Sequence, residues 1–285
     1  MRLLLAGTLF VCASLAACAL PAPSDKVQRD EAIELPITLR HNLPTLRVSV
    51  AGTPLDLFLD LGGHNAISLT AEELAQTNVQ YLSKADRYRN AMGEVFTAQR
   101  FVAPNLLIGG VSFGDVEGGE YVHPSIGGPP DRNGYIGRGL LSRYLIVLDY
   151  PHGRVRLYRP GDDAAFAREC GIAQFAVSNR DGVISSEAYT TYGKLSVQWD
   201  TGATDNFLRP STIGPVASAA KKVDDGSPIL VVPSVKLGLQ DIGPLAFRLL
   251  EFSDPAVDAT FGTGLFASRK VCLDFSTGRG AVASP

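Results

Sequence analysis

Two aspartates, Asp60 and Asp200, each end a short apolar run, and each is followed two positions later by a glycine. A carboxylate at the end of a buried strand loses solvation, so its charge must be compensated or its pKa must rise. The glycine allows a sharp turn and lets another backbone approach the carboxylate. If the two turns faced each other, the carboxylates would share one proton and could activate a water molecule by general acid–base catalysis.

An internal repeat predicts that the two turns do face each other. Residues 137–154 match residues 262–279 without a gap, 125 positions apart, and both segments contain a Leu-Asp-aromatic triplet. The segments that end in Asp60 and Asp200 precede them in the same order, 140 positions apart. Such a duplication indicates two like-built lobes of one body, with a pseudo-two-fold axis that brings the aspartates together edge to edge.

These residues resemble the signatures of aspartic proteases of the pepsin and retropepsin clan. The segment from Asp200 to Asp205 is similar to the retropepsin active-site sequence, and the segments 134–150 and 259–275 are similar to a motif near the end of that family's lobe. The resemblance covers about residues 35 to 283. It implies a mainly β, bilobal pepsin-like acid-protease fold with a cleft between the lobes, formed by two retropepsin-like units fused in one bacterial polypeptide.

The predicted organisation has four parts. They are a lipoprotein signal peptide (1–17), a tether (18–33), an N-terminal aspartic-protease-like lobe (34–160) and a C-terminal aspartic-protease-like lobe (161–285).

The resemblance also implies roles for individual residues. Asp60 and Asp200 would be the catalytic pair of an endopeptidase that acts on a peptide or protein substrate. Support of the catalytic loops is expected from Gly62, Thr201, Gly202, Gly137 and Gly262. Substrate contacts are expected from Gly63, His64, Ala203, Asp205 and Tyr88. Asp205 could instead cap a turn. Tyr88 lies in a hairpin of residues 88–100 that could cover the cleft as a flap. Tyr88 could instead be an ordinary packing residue.

The first turn departs from the family pattern, because Leu61 stands where the family usually has Thr or Ser. In the family that hydroxyl bonds to the opposite loop, so Thr201 can brace the pair from its own side but Leu61 cannot. A second interpretation follows, in which the protein is a catalytically impaired lipoprotein that binds peptides or envelope proteins in the cleft. The persistence of both carboxylates favours catalysis.

The turns also predict a pH range for any activity. Neither Gly63 nor Ala203 offers a hydroxyl to the carboxylate of its own turn. A carboxylate that accepts fewer hydrogen bonds keeps a higher pKa. We therefore expect activity to be highest in weakly acidic to near-neutral conditions rather than in strong acid.

The N-terminus is typical of a targeting segment. Arg2 precedes an apolar stretch, residues 3–15, that is too short to span a bilayer as a mature helix. The following Leu-Ala-Ala-Cys resembles a bacterial lipobox, which implies cleavage before Cys18 and lipid attachment to its thiol. Ala19 favours the outer membrane, facing the periplasm, over retention at the inner membrane. An ordinary signal peptide is the alternative, and no other contact with a membrane is expected.

Composition and cysteine usage exclude several classes. A net charge of −3, with 45% hydrophobic residues, 29 glycines and 18 prolines, indicates a turn-rich β protein and not a nucleic-acid-binding one. No Cys/His cluster has metal-ligand spacing, so no metal and no cofactor are expected.

Cys170 and Cys272 could form a disulfide in an oxidising compartment or could remain buried thiols. The Gly-x-Ser-x-Gly sequence at 110–114 is not followed by the helix that a serine hydrolase requires.

Local patterns predict the elements that position these residues. Turn signals around residues 52–54, 109–110 and 151–153 predict β-hairpins. The spacing of Thr70 and Glu73 predicts a capping box that opens a short helix. The polar segment 161–170 is expected to be a helix that links the two lobes.

Overall fold

Strands joined by short turns make up most of the described part of this chain, as its apolar alternation and frequent glycines predict. A computed structural model describes residues 32–90, 93–122, 133–180, 182–222 and 227–283. The predicted signal peptide (1–17), the predicted lipidation site Cys18 and the predicted tether as far as residue 31 lie outside these residues. The prediction of a mainly β protein is confirmed.

The first half of the described chain contributes eleven strands. They are β1 (Ile33–Pro36), β2 (Thr38–Arg40), β3 (Leu43–Val50), β4 (Thr53–Asp60), β5 (Ile67–Leu69), β6 (Gln80–Arg89), β7 (Val95–Ile108), β8 (Val111–Glu120), β9 (Tyr135–Gly137), β10 (Leu145–Asp149) and β11 (Arg154–Tyr158). Eight of them form one sheet in the order β2-β3-β4-β9-β5-β8-β7-β6. The helices here are α1 (Ala71–Gln76), α2 (Arg138–Leu141) and a 3-10 helix (Tyr150–His152).

The second half of the described chain contributes thirteen strands. They are β12 (Phe175–Ala176), β13 (Ser178–Arg180), β14 (Val183–Thr190), β15 (Gly193–Trp199), β16 (Phe207–Leu208), β17 (Lys221–Lys222), β18 (Pro228–Val232), β19 (Val235–Leu237), β20 (Gln240–Asp241), β21 (Leu245–Leu249), β22 (Ala259–Phe261), β23 (Lys270–Asp274) and β24 (Arg279–Ala283). Nine of them run β17-β18-β21-β16-β22-β15-β14-β19-β20 in one sheet, and β13 pairs with β14. The helices are α3 (Asp163–Cys170), α4 (Pro210–Ile213), α5 (Thr263–Phe266) and a 3-10 helix (Gly214–Ala219). Among the described residues, no helix has the length and apolar character needed to cross a membrane.

A third sheet joins the two halves, since it takes strands from both in the order β1-β11-β10-β23-β24-β12. Its central strands β10 and β23 pair so that the buried residues Val147 and Cys272 lie opposite each other. Because this sheet is shared, the described residues belong to one compact unit. The boundary between lobes at residues 160 and 161 stays a prediction, and helix α3 begins just after it.

A disulfide bond attaches α3 to the shared sheet. The sulfur atoms of Cys170, the last residue of α3, and Cys272, in the middle of β23, are 1.99 Å apart. The sequence left a bridge and two free thiols as alternatives, and the structure has the bridge. The bridged residues are 102 positions apart. Closing a loop of this length contributes up to about 4–5 kcal/mol in the chain-entropy model.

Helix α1 begins with the capping box that its sequence predicts. The Thr70 hydroxyl accepts the Glu73 N–H at 3.2 Å, and the Glu73 carboxylate accepts the Thr70 N–H at 2.8 Å. The same carboxylate accepts the Gly134 N–H at 3.0 Å. Burial raises the pKa of Glu73, and these hydrogen bonds oppose the rise. Glu73 thereby ties the helix to the segment that leads into β9, the strand beside β4.

Candidate active site

Asp60 is the last residue of β4 and only 8% of it is exposed. The residues before it, Leu57 to Leu59, are buried in the core. Strand β4 pairs in parallel with β9, which places Asp60 opposite Gly137. The N–H of Gly63 closes the turn, because it donates to Asp60 Oδ1 at 2.9 Å. The parallel strand pair and the closed turn together fix where this carboxyl group lies.

Asp200 has the equivalent place in the second half. It directly follows Trp199, the fully buried last residue of β15, which lies opposite Phe261 in the parallel pair of β15 and β22. The Asp200 N–H donates to the Phe261 carbonyl at 3.0 Å. The N–H of Gly202 donates to Asp200 Oδ1 at 2.8 Å. Each carboxylate thus accepts a hydrogen bond from a glycine of its own turn.

The two turns face each other at close range. A Cβ atom on Gly62 would lie 2.7 Å from Cγ of Asp200, and a Cβ atom on Gly202 would lie 2.5 Å from Cγ of Asp60. Any side chain at either glycine would therefore strike the opposite carboxyl group. The structure brings the two predicted catalytic carboxyl groups together at the seam between the halves.

The Thr201 hydroxyl holds the two turns together. It donates to the Leu59 carbonyl at 2.9 Å and accepts the Leu61 N–H at 2.9 Å. Thr201 is fully buried, so both bonds are shielded from water. Leu61 is fully buried as well, and its side chain packs in the hydrophobic core. The bracing, which we call the Thr201 clasp, is therefore one-sided.

The predicted supporting glycines hold the backbone beside each turn. The Gly137 N–H donates to the Ala66 carbonyl at 3.0 Å, and the Gly262 N–H donates to Asn206 Oδ1 at 3.1 Å. Asn206 is 2% exposed, and its amide also donates to the Ala246 carbonyl at 3.1 Å. Sequence analysis did not single out Asn206. Its place directly after the segment that resembles the active-site signature was the available signal.

Arg138 is a second residue that sequence analysis missed. It is the first residue of α2, and its Nη1 donates to the Gly62 carbonyl at 3.1 Å. Burial lowers the pKa of Arg138, and the negative charges of Asp60 and Asp200 are among the groups that oppose this shift. A guanidinium therefore lies near the two carboxyl groups. Its position immediately after Gly137, where the repeated segment begins, could have identified it.

A cleft of about 1040 Å³ is lined by both aspartate turns and by the hairpin that β6 and β7 form. This volume is at the upper end of the range for ligand pockets, so it suits an extended peptide segment better than a small molecule. Gly63, His64 and Tyr88, three of the five predicted substrate contacts, are part of the described lining. Ala203 and Asp205 are not part of that described lining.

The β6–β7 hairpin borders the cleft. Tyr88 contacts His64 with ring centroids 5.4 Å apart and stacks on Phe96 with centroids 5.4 Å apart. A Cβ atom on Gly93, in the turn of this hairpin, would lie 3.3 Å from Cβ of Ser253. The hairpin therefore starts from the first half, spans the cleft and approaches the second half. Its strands are longer than the predicted hairpin of residues 88–100.

Comparison with solved structures identifies the architecture. The aspartic proteinase from Irpex lacteus matches with a TM-score of 0.64 at 13% sequence identity, over 89% of this chain and 97% of that chain. The basic 7S globulin from soybean matches with a TM-score of 0.57 at 11% identity, over 89% of this chain and 95% of that chain. This chain has the bilobal, mainly β pepsin-like fold. The fold predicted from the sequence is confirmed. No family model and no curated protein matches the sequence.

Within this pepsin-like fold, His64 is a titratable neighbour of the aspartate pair. Burial lowers the pKa of His64, and the positive charges of Arg138 and Arg100 lower it further. The charges of Asp86 and Asp60 oppose that shift. This lowered pKa favours the neutral form of the His64 imidazole. The cleft wall becomes more positive as the pH falls.

The other two substrate candidates belong to the framework of the second turn. Asp205 Oδ2 lies 3.4 Å from Nε of Arg248 and accepts the Thr204 hydroxyl at 3.2 Å. The Ala203 N–H donates to the Asp200 carbonyl at 3.2 Å.

Among the described residues, no group of three or more histidine, cysteine or acidic side chains could hold a metal ion.

Proposed function

We propose that this protein is an aspartic endopeptidase with Asp60 and Asp200 as its catalytic pair. The observation that carries the proposal is the reciprocal approach of the two turns, in which the opposite carboxyl group fills the space beside Gly62 and Gly202. In the proposed mechanism these two neighbouring carboxyl groups share one proton. One group is then a base while the other is an acid.

The proposed reaction needs no covalent intermediate. The ionised carboxylate takes a proton from a water molecule held between the pair, and the water oxygen attacks the peptide carbonyl carbon. The protonated carboxyl group donates its proton to the carbonyl oxygen, which gives a tetrahedral diol. The first carboxyl group then protonates the peptide nitrogen, while the second takes a proton back from the diol. The C–N bond breaks, and the pair again shares one proton.

The cleft supports an extended peptide or protein as the substrate. Its volume exceeds what a small molecule needs, and the β6–β7 hairpin spans it. His64 and Tyr88 give the wall beside Asp60 an aromatic surface. A peptide that lies beneath the hairpin would place one carbonyl group against the aspartate pair.

Cleavage of an unfolded protein tests this proposal. We expect cleavage by the wild type, inhibition by pepstatin, and a loss of about 10²–10⁴-fold in Asp200→Asn, because the base or acid is removed. Asp56→Asn is the matched control, since Asp56 lies on β4, four positions before Asp60, and pairs with Arg47 at the surface. Equal residual activity in the wild type and Asp200→Asn would end the protease proposal.

The pH dependence of cleavage is a separate test of the turns. The residues after the two Asp-x-Gly turns carry no hydroxyl, and we expect the highest rate between weakly acidic and near-neutral pH. A pH–rate profile that peaks in strong acid would contradict that expectation.

Peptide binding without hydrolysis is the second candidate function. The observation that favours it is the one-sided Thr201 clasp, because Leu61 offers no hydroxyl to the opposite turn. In that case the cleft would bind peptides or envelope proteins. Calorimetric binding of an unfolded peptide with no product formed, and activity that appears only in Leu61→Thr, would favour this function over hydrolysis.

We also propose that the protein is a bacterial lipoprotein anchored through Cys18 in the outer membrane and facing the periplasm. The disulfide between Cys170 and Cys272 supports an oxidising compartment, which the periplasm is. Fractionation of cells that express the wild type or Cys18→Ser tests the anchor. We expect the wild type in the membrane fraction and the variant outside it. Equal distribution of the two proteins would reject the anchor.

A further inference from the structure

Arg138 places a positive charge in the wall of the cleft, and the proposed reaction does not use it. Arg138, Gly62 and Gly182 all belong to the lining, together with both aspartates of the pair. The guanidinium lies between the two halves, because its Nη1 donates to the Gly62 carbonyl at 3.1 Å and a Cβ atom on Gly182 would strike its Nη2. A charged group at this place meets whatever the cleft binds.

The structure holds this guanidinium in place before any substrate binds. The Arg138 backbone N–H donates to the Gly63 carbonyl at 3.0 Å, while the side chain donates to the Gly62 carbonyl. Arg138 is therefore attached to the first aspartate turn through both its backbone and its side chain. A ligand that binds a group already held in one position loses less conformational entropy, so the position favours binding.

Most of the bonding capacity of Arg138 is unused, and Arg100 shows the contrast. The Arg100 guanidinium lies 3.3 Å from a carboxylate oxygen of Asp86 and 3.1 Å from one of Glu117. Among the described residues, no carboxylate forms an ion pair with Arg138, and the Gly62 carbonyl is the acceptor of its side chain. A guanidinium has five N–H donors, so this bond uses one of them.

A carboxylate is the ligand that completes such a group. Arg138 is half-buried, and its guanidinium stays charged at every pH at which a protein is folded. Its planar fork matches a carboxylate through two parallel N–H···O bonds. An endopeptidase binds the interior of a peptide chain, where the carboxylates are the side chains of aspartate and glutamate.

The repeat shows that this cation occurs in one half alone. Arg138 corresponds to Thr263 at an offset of 125 positions. Thr263 is 4% exposed, and its hydroxyl donates to the Asn42 carbonyl at 2.6 Å. The second half thus uses the equivalent side chain for a contact with the first half and places no charge there. Recognition of a carboxylate by Arg138 is therefore one-sided.

We propose that Arg138 is a specificity-determining residue, whose guanidinium binds the carboxylate of an aspartate or glutamate side chain near the scissile bond. Because the cation is on one side only, the acidic residue lies on one fixed side of that bond. The consequence for cleavage rests on the proposed function, whereas the binding of an acidic peptide does not depend on catalysis.

Peptide binding tests the proposal in the Asp200→Asn variant, which should not cleave the probes. The probes are short peptides capped at both ends, in which a single Glu is moved through every position, and a matching set with Gln. At one position or more, we expect Glu to bind about tenfold more tightly than Gln, the usual size of a hydrogen bond to a charged group. Adding Arg138→Gln should abolish that difference. No preference for Glu at any position, or a preference that survives Arg138→Gln, would overturn the proposal.

Arg143→Gln is the matched control. Arg143 lies five positions further along the chain, is exposed and is not part of the described lining of the cleft. It should leave the preference for Glu unchanged. Arg138→Lys should keep part of the preference, because the charge remains while the paired N–H groups are lost.

Cleavage of the same peptides measures the consequence for specificity. In the wild type, kcat/KM should be about tenfold higher for the Glu peptide than for the Gln peptide, and in Arg138→Gln the two should be equal. If Arg138→Gln lowered kcat/KM by the same factor for both peptides, the guanidinium would serve the aspartate pair and not the substrate, and the proposal would be overturned. If the wild type cleaves neither peptide, the proposed function fails, and the binding comparison still decides the role of Arg138.

An experimental structure of Asp200→Asn with a bound Glu peptide gives a further measurement in case Arg138→Gln does not fold. A glutamate oxygen about 2.7–2.9 Å from a guanidinium nitrogen of Arg138 is expected for a charge-assisted hydrogen bond. A separation beyond about 4 Å is not an ion pair and would overturn the proposal.

Discussion

The two aspartate turns have similar backbone geometry but different side-chain chemistry. In each turn a glycine N–H binds the carboxylate, and in each a glycine gives room to the opposite carboxyl group. The residue between the aspartate and that glycine differs, since Thr201 bonds across the seam whereas Leu61 packs in the core.

The difference indicates that paired strands, rather than bracing hydrogen bonds, give each turn its geometry. Strand β4 lies parallel to β9, and β15 lies parallel to β22, so each aspartate follows the same arrangement of backbone. The turn that supplies the bracing hydroxyl and the turn that receives it therefore look alike. Bracing instead controls how firmly the two carboxyl groups stay in register with each other.

The largest expected effect is the loss of activity when either carboxylate is replaced. Because the two groups exchange the roles of acid and base during one cycle, Asp60→Asn and Asp200→Asn should both lower kcat by about 10²–10⁴-fold. Steady-state kinetics of the two variants measure this. A variant that keeps more than about a tenth of the wild-type rate would mean that the two turns are not equivalent.

Removal of the disulfide should have the next largest effect, and it should destabilise the second half more than the first. The bridge closes a loop that contains most of the second half, while residues 34–160 contain no cysteine. We expect the double variant Cys170→Ala/Cys272→Ala to lose up to about 4–5 kcal/mol of unfolding free energy. Hydrogen exchange should show a greater loss of protection in β14 and β15 than in β3 and β4. Equal loss in both halves would contradict this.

A methyl group at either facing glycine should have a smaller but symmetrical effect. In Gly62→Ala or Gly202→Ala the new Cβ would lie less than 3 Å from the opposite carboxyl group, so the pair must move apart. A displacement of about 1 Å can cost about 10²-fold in rate. Gly110→Ala is a control, since nothing lies within 4 Å of a Cβ there, although its positive φ adds local strain. Full activity in either active-site variant would mean that the turns can separate freely.

The smallest effect concerns acid stability, and it compares Asp149 with Asp274, the equivalent residues of the two repeats. Burial opposes the ionisation of both carboxyl groups. Hydrogen bonds from His152 and Arg154 nevertheless lower the pKa of Asp149 below the usual value of 3.8. Hydrogen bonds from Ser276 and other groups do the same for Asp274.

Because these folded-state pKa values are lower than those of the unfolded chain, the two ionised carboxylates stabilise the fold above about pH 4. That contribution is lost as the pH falls from there through the folded-state pKa. Urea unfolding should therefore show Asp149→Asn and Asp274→Asn to be less stable than the wild type at pH 7, with a smaller difference near pH 3. A difference that stays constant with pH would contradict the lowered pKa values.

Much of the fold could be predicted because the patterns that indicate it can be found directly in the amino-acid sequence. The two Asp-x-Gly turns and the capping box at Thr70 each depend on residues close together in sequence, and the repeat of 125 positions is found by comparing two stretches of sequence directly. Their identity sets strand ends, turns and helix starts through local geometry alone. The bilobal β architecture follows once two such units must bury their apolar faces together.

The residues that sequence analysis missed act on groups far away in the chain. Arg138 reaches the carbonyl of Gly62, and Asn206 reaches the N–H of Gly262. Neither residue type is unusual for a loop or a helix start, so the only local signal is that each residue directly follows a recognised segment of the chain. Their roles exist only because parallel strand pairs bring these segments side by side.

The duplicated β framework and the two aspartate turns are specified by the order of residues alone, because periodicity and turn chemistry are local properties of the chain. The meeting of the two turns and the bond between the cysteines of α3 and β23 exist only in the folded chain. The physical reason is that contact between distant segments depends on strand register and on the shared sheet, which no short stretch of sequence contains.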